Sequence, residues 1–183
     1  MIEVLVTVVI TLTGLLGMAG LVVRTHIAEF ESYQRAQALI LLSDMVDKLN
    51  ANRKAAGCYA FSGLSTGSPF LGTSANVTPA CTAYGTTEGQ TRAVADLNDW
   101  NGKLLGTAET KDGNAVGAMR AARGCVSFNS ATATYQVSVA WQGSTGTVDP
   151  TTVDPTLVCA SGQYGPENQR RIVSVTLSIA TLR

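Results

Sequence analysis

The chain has 183 residues, 45% hydrophobic and 14% charged, and its 13 basic and 13 acidic residues give no net charge. With no net positive charge there is no strong electrostatic case for nucleic-acid binding, so no nucleic-acid partner is expected. The single histidine, and the absence of a GxSxG elbow or a phosphate-binding Gly-Lys-Ser/Thr loop, argue against an enzyme, a metal centre and a bound cofactor.

The first predicted element is a transmembrane helix. From Val4 to Val23 the chain carries no charge, and such a run is about long enough to cross a hydrocarbon core roughly 30 Å thick. A cleaved signal has basic residues ahead of a shorter apolar run, whereas here no Lys or Arg precedes it and a helical pattern follows without a break. We therefore predict that residues 1–24 form the retained transmembrane half of a long N-terminal helix.

The helical period continues beyond the apolar run. Apolar residues recur at spacings of three and four, or sums of them, which predicts an amphipathic half of the same helix over residues 25–56. This half must bury its apolar stripe against another part of the chain. The stripe consists of Ile27, Phe30, Ala38, Leu41, Leu42, Met45, Val46 and Leu49.

The remainder, residues 57–183, predicts a globular head. Residues 57–92 are rich in Gly, Ser, Thr and Ala and predict mostly loop. Residues 93–107 predict a short helix. Its apolar positions are Val94, Leu97, Trp100 and Leu104.

Strands follow this helix. Residues 135–141 and 171–179 alternate between apolar and polar side chains, which is typical of half-buried antiparallel strands. Residues 124–128 predict a third strand. The repeat TVDPT at 147–151 and 152–156 carries two Asp-Pro steps, which predict turns in a surface loop. The sequence therefore predicts an α+β head with a small antiparallel sheet.

The cysteines indicate the compartment. Cys58, Cys81, Cys125 and Cys159 form no CxxC pair, and an even number of scattered cysteines suits two disulfides in an oxidising compartment. Bridged cysteines would place the head outside the cytosol. Four cysteines allow three pairings, which their spacing alone does not settle.

The opening block Ile2-Glu3-Val4-Leu5 resembles the start of mature type IV pilins. The chain as a whole is similar to the minor pilins of the PilV type, while the opening block alone is shared with the pseudopilins of type II secretion. The resemblance implies the type IV pilin fold, in which the long N-terminal helix packs on the antiparallel sheet. The later stretches that carry it are Gly14–Gly17, Tyr33–Ala38, Asp44–Arg53, Asp96–Trp100 and Val139–Gly143.

The resemblance also implies a function and a set of partners. A minor pilin primes pilus assembly and links the pilus to its tip complex, supporting adhesion and twitching motility. Its implied partners are other minor pilins, the major pilin, the inner-membrane assembly platform and a PilY1-like tip adhesin. The chain would lie in a bacterial inner membrane with its head in the periplasm, and in the pilus after assembly. The alternatives are a type II secretion pseudopilin, or a signal-anchored periplasmic binding module that never polymerises.

Glu3 is the implied docking residue. A carboxylate in a lipid-facing helix is costly, and its simplest role would be to reach back to the headgroups. The resemblance implies instead that the N-terminal ammonium of one subunit pairs with this glutamate during docking. The family's leader and first mature aromatic residue have no counterpart ahead of Ile2, so on this resemblance the chain as written would not be processed.

The resemblance, together with short loop closure, favours one disulfide pairing. Pilins of this kind carry a disulfide near the C-terminus, which suits a bridge between Cys125 and Cys159. The remaining pair, Cys58 and Cys81, would then pin the exit of the long helix to the Gly-rich segment that follows it.

Overall fold

A computed structural model of the chain describes residues 1–73, 81–107, 110–112, 114–115 and 119–180. The chain divides into two compact units. We call Met1–Gln34 the N-terminal unit and Arg35–Arg183 the head unit.

Helix α1 spans Ile2–Ala51, as the uninterrupted helical pattern predicts, but it ends earlier than expected. A 3₁₀ segment, Arg53–Tyr59, follows it. Asn52 leaves the helical conformation with φ −119° and ψ 47°, and its side-chain amide donates to the Gly89 carbonyl at 2.7 Å and to the Tyr59 hydroxyl at 3.2 Å. An asparagine side chain that bonds away from its own helix favours termination there.

Helix α2 spans Thr87–Leu104 and begins before the predicted residue 93. Its start lacks apolar residues, but Thr86 caps it by accepting a hydrogen bond from the Gly89 amide at 3.3 Å. The helix buries Leu97, Trp100 and Leu104 as predicted, while Ala93 is fully buried in place of the half-buried Val94.

The three predicted strands are confirmed. They are β3 (Arg123–Asn129), β4 (Thr134–Gln142) and β5 (Arg170–Ser178), in an antiparallel sheet of order β3-β4-β5. A separate pair, β1 (Thr110–Lys111) and β2 (Asn114–Ala115), was not predicted. Helix α3, Pro150–Val153, spans the junction between the two copies of the repeat, where only turns were expected.

The main core lies on one face of the sheet. It joins the buried part of α1's stripe to α2 and to the odd-numbered positions of β4, so the predicted α+β class is confirmed for the head unit. Ile27 and Phe30, the first two stripe positions, belong to the N-terminal unit and are exposed. Prominent core members are Ala38, Met45, Leu49, Trp100, Val137, Val139 and Trp141.

The other face of β4 is buried as well, which the alternation did not predict. Ser138 and Ala140 are almost fully buried. The chain between β4 and β5 returns over them, so that Cys159, Ala160 and Tyr164 form a second apolar cluster with Cys125 and Ala140. In an alternating strand, a small residue such as Ala140 suggests a solvent-facing position. Here the small side chain of Ala140 instead packs with the Cys125–Cys159 disulfide on that face of the sheet.

Candidate functional site

The most distinctive surface is the exposed apolar part of α1. Every residue from Val4 to Val23 is exposed and none is charged. Among the described residues, α1 is the one helix long and apolar enough to cross a membrane. A contiguous apolar surface of this size normally marks a membrane or protein contact. We call Val4–Val23 the apolar segment.

The polar side chains of the apolar segment are satisfied within the helix. A threonine hydroxyl can bond the backbone carbonyl three or four residues earlier, which removes the cost of an unpaired donor in lipid. Thr7 donates to the Val4 carbonyl at 2.9 Å, Thr11 to that of Thr7 at 2.7 Å, and Thr13 to those of Val9 and Ile10 at 3.0 and 2.9 Å. The segment therefore presents no unpaired hydroxyl donor to its surroundings.

Glu3 lies in the first turn of α1 and is exposed. The unpaired amides of a helix N-terminus favour a negative charge at this position. No ion pair to Glu3 forms within the part of the chain that the structure describes. The carboxylate is thus open to a cation supplied from outside the chain.

The structure forms both disulfides in the favoured pairing, Cys58–Cys81 and Cys125–Cys159. Cys58 belongs to the 3₁₀ segment after α1. Cys125 lies in β3, and Cys159 lies in the chain between β4 and β5. The four predicted cysteines therefore fix the head unit at two separate places. Within the described residues no group of three or more His, Cys, Asp or Glu side chains lies together as a metal site requires.

Sequence reasoning missed a buried arginine that organises the chain between β4 and β5. Arg170 is fully buried, and its guanidinium donates to Glu167 at 2.6 Å and to the carbonyls of Leu157 and Cys159 at 2.7 and 3.2 Å. Glu167 also accepts hydrogen bonds from the Gly162 amide and the Ser161 hydroxyl. We call residues 143–169 the disulfide loop. The i,i+3 spacing of Glu167 and Arg170 was the available sequence signal.

The two copies of the TVDPT repeat form the same hydrogen-bonded motif. In each copy the aspartate accepts from the threonine two residues later, through both its amide at 2.8 Å and its hydroxyl at 2.7 Å. These bonds lower the pKa of Asp149 and of Asp154. The motif leaves Val148 and Val153 67% and 73% exposed, so the disulfide loop displays two matching apolar tips.

A network of ion pairs joins α2 to the end of α1 inside the head unit. Lys48 lies 2.5 Å from Asp99, and Lys103 lies 2.9 Å from Asp99 and 3.0 Å from Asp44. Burial would raise the pKa of Asp99, but hydrogen bonds from the two lysines and their charges outweigh it and lower that pKa. The same argument holds for Glu167, whose pKa is lowered by the Gly162 amide and Arg170 against the effect of burial.

These shifts predict acid sensitivity of the head unit. A carboxyl whose pKa is lower in the folded state contributes stability at pH values above its unfolded pKa, and loses it as the pH falls through the folded pKa. With ordinary values of 3.8 for aspartate and 4.5 for glutamate, the melting temperature should stay level above about pH 5 and fall below it. Near-ultraviolet circular dichroism of the full chain in detergent, from neutral pH to about pH 2, measures this. Asp99→Asn should lower the melting temperature at neutral pH and reduce its fall below about pH 5. If the melting temperature of this variant falls with acid as steeply as that of the native chain, Asp99 is not a source of the acid sensitivity.

Comparison of the chain with protein-family models, with curated proteins and with solved structures gives no match.

Proposed function

We propose that the chain is a minor pilin of the type IV pilus. It would be anchored in the bacterial inner membrane by its apolar segment and hold its head unit in the periplasm. It would then enter the pilus, where it primes assembly and links the filament to its tip complex, supporting adhesion and twitching motility. This role needs recognition surfaces and no chemistry.

One observation carries the proposal most. The apolar segment is wholly exposed and charge-free, its threonines bond their own helix, and a single unpaired carboxylate stands at its tip. A helix that served only as an anchor gains from this acidic residue no more than the attraction of its own N-terminal amides, and the charge costs free energy where it meets lipid. A docking helix gains an ion pair when the N-terminal ammonium of a neighbouring subunit meets Glu3 away from water.

The head unit supports the proposal in a second way. Two disulfides suit an oxidising compartment such as the periplasm. The disulfide loop is fastened at its base by the Cys125–Cys159 bridge and by the buried Arg170. A loop fixed in this way offers a preorganised surface for a partner, and preorganisation lowers the entropy that binding must overcome.

The proposed partners divide between the two units. Before assembly, the apolar segment and Glu3 would contact the inner-membrane assembly platform. In the filament, they would contact the helices of other minor pilins and of the major pilin. The disulfide loop, with its exposed valines and fixed base, would face the tip adhesin.

Replacing Glu3 tests the proposal. The chain is expressed behind a prepilin leader in a bacterium that makes type IV pili, and its recovery is compared in membranes and in sheared filaments. Glu3→Ala should leave membrane insertion intact or improve it, because a costly carboxylate is removed. Recovery in filaments should fall roughly tenfold, which corresponds to losing about 1.4 kcal/mol of docking free energy.

Glu29→Ala is the matched control. Glu29 is also an exposed acid on α1, but it lies beyond the apolar segment and pairs with His26 at 3.4 Å, so its loss should not change filament recovery. Normal recovery of the Glu3 variant would remove Glu3 from docking. A wild-type chain that never enters sheared filaments would favour the signal-anchored binding module. Dependence on type II secretion genes would favour the pseudopilin.

A further inference from the structure

The two edges of the sheet differ in how they are covered. At the β3 edge, Leu71 and Gly124 exchange backbone hydrogen bonds of 2.8 and 3.0 Å, and the Ser62 amide donates to the Val126 carbonyl at 2.9 Å. At the β5 edge, no described residue outside the sheet makes a backbone hydrogen bond with positions 172–178. Among the described residues, the β3 edge is therefore closed and the β5 edge is open.

The open stretch begins just after Arg171. The Arg171 guanidinium donates to the Thr145 carbonyl and the Thr147 hydroxyl, each at 2.7 Å, which ties the start of β5 to the disulfide loop. From Ile172 to Ser178 the strand then carries no charge and no proline. Soluble proteins usually guard a long edge strand with lysine, proline or a bulge, because unpaired backbone groups are a template for another strand. Nothing in this sequence stretch supplies such a guard.

We propose that a second copy of this chain pairs with the β5 edge, antiparallel and centred on Val175, so that two sheets of three strands join into one of six. The pairing is symmetric, with the same surface used on both copies. It is independent of whether the chain enters a filament, since it uses only the head unit.

The strand is self-complementary in this register. An antiparallel pairing centred on Val175 places it opposite its own equivalent, Val173 opposite Leu177, and Ser174 opposite Thr176. The apolar residues on the core side therefore meet apolar residues. On the other side Ser174 and Thr176 bring hydroxyl to hydroxyl, and Ile172 lies opposite Ser178 at the ends of the stretch. Both kinds of cross-strand pair are favourable, and no like charges oppose each other.

The partial exposure of the β5 side chains is consistent with a second copy of the strand at this edge. Val173, Val175 and Leu177 pack against the main core but keep part of their surface exposed. A neighbouring strand would cover that surface while satisfying the open amides and carbonyls. A neighbouring strand that carried a lysine or an acidic residue would instead place an unpaired charge against the neutral β5 edge.

Cross-linking of cysteine variants tests the register. Free cysteines are absent from the described residues, so a short bismaleimide reacts with the new thiol of Val175→Cys. In the full chain in detergent this variant should give a covalent dimer, because directly opposite residues have Cβ atoms about 5 Å apart. Ser178→Cys is the matched control. Ser178 is more exposed, but its two copies would lie six positions apart, about 20 Å, and should not be linked.

A charged substitution tests the pairing without a thiol. Thr176 is exposed, so Thr176→Lys should leave the fold intact while placing a guarding lysine on the edge. Light scattering of the full chain in detergent should show a dimer for the native sequence and one about fivefold weaker for this variant. Thr82→Lys adds the same charge at another exposed position and should leave the dimer unchanged. A monomeric native chain, or cross-linking of the Ser178→Cys variant but not of the Val175→Cys variant, would overturn the proposal.

Discussion

Replacing Trp100 with alanine is expected to lower the free energy of unfolding of the head unit by about 3–5 kcal/mol. The side chain is fully buried, and its indole N–H donates to the Leu41 carbonyl at 2.9 Å. Its ring also lies directly on the backbone of β3, where a Cβ added at Gly124 would overlap it. Trp100 thus joins α1, α2 and β3 within the head unit, and its loss leaves a large cavity at their junction.

Urea unfolding of the full chain in detergent measures this loss. Trp141 is the second tryptophan and is buried in the same core, so its fluorescence follows unfolding in the variant. Trp100→Phe keeps most of the apolar volume but removes the donor to Leu41, and should cost about 1–2 kcal/mol. Asn98→Ala, at an exposed position of α2, should cost less than about 0.5 kcal/mol. A Trp100→Ala loss as small as that of the control would show that this junction does not hold the head unit together.

The sequence predicts the parts of this fold that repeat a simple period. β4 and β5 were placed nearly to the residue, because their side chains alternate and each has one apolar face packed on the core. Helix α1 was found for the same reason, with its stripe buried from Ala38 onward. Periodicity reports which face is apolar, and here the apolar faces do meet.

The features that were missed depend on contacts between distant parts of the chain. The end of α1 at Ala51 depends on Asn52 bonding Gly89 of α2. The start of α2 depends on the Thr86 cap, in a stretch without apolar residues. A lysine or arginine is seldom fully buried, so the spacing of Glu167 and Arg170 can suggest an ion pair but does not mark Arg170 as buried. Its burial requires carbonyls that only the folded loop brings to it.

The candidate docking residue Glu3 shows a second limit of prediction from the sequence. Glu3 and the apolar segment can be found from sequence, because a lone charge beside an apolar run is a local pattern. Under the proposed docking role the carboxylate would pair with a group outside the chain, and its site in the chain is exposed. Recovery of the Glu3→Ala variant in sheared filaments therefore tests the proposed docking role, about which neither hydrophobic periodicity nor burial gives information.

Removing the Cys125–Cys159 bridge is expected to cost about 2–5 kcal/mol. With both residues changed to alanine, the disulfide loop loses its covalent link to β3 and is held by hydrogen bonds, among them those from Arg170 to the carbonyls of Leu157 and Cys159. Urea unfolding of the full chain measures the loss. Limited proteolysis should cut within residues 143–169 faster than in the native chain, and peptide mapping of the unreduced native protein should yield the Cys125–Cys159 peptide. A mapped link between Cys81 and Cys125 would contradict the pairing.

The Cys58–Cys81 bridge provides the internal comparison. The two bridges span 23 and 34 positions, and on chain entropy alone their contributions differ by less than about 0.5 kcal/mol. Cys125 and Cys159, however, are both buried in the second cluster with Ala160 and Tyr164, whereas in the other bridge Cys58 is buried in the main core and Cys81 is partly exposed. Removing the Cys125–Cys159 bridge therefore takes two packed sulfurs out of the protein interior instead of one, and should cost about 1 kcal/mol more than removing the other. Equal losses would mean that the bridge acts only by closing the loop, and that the buried face of β4 owes its stability to Arg170 instead.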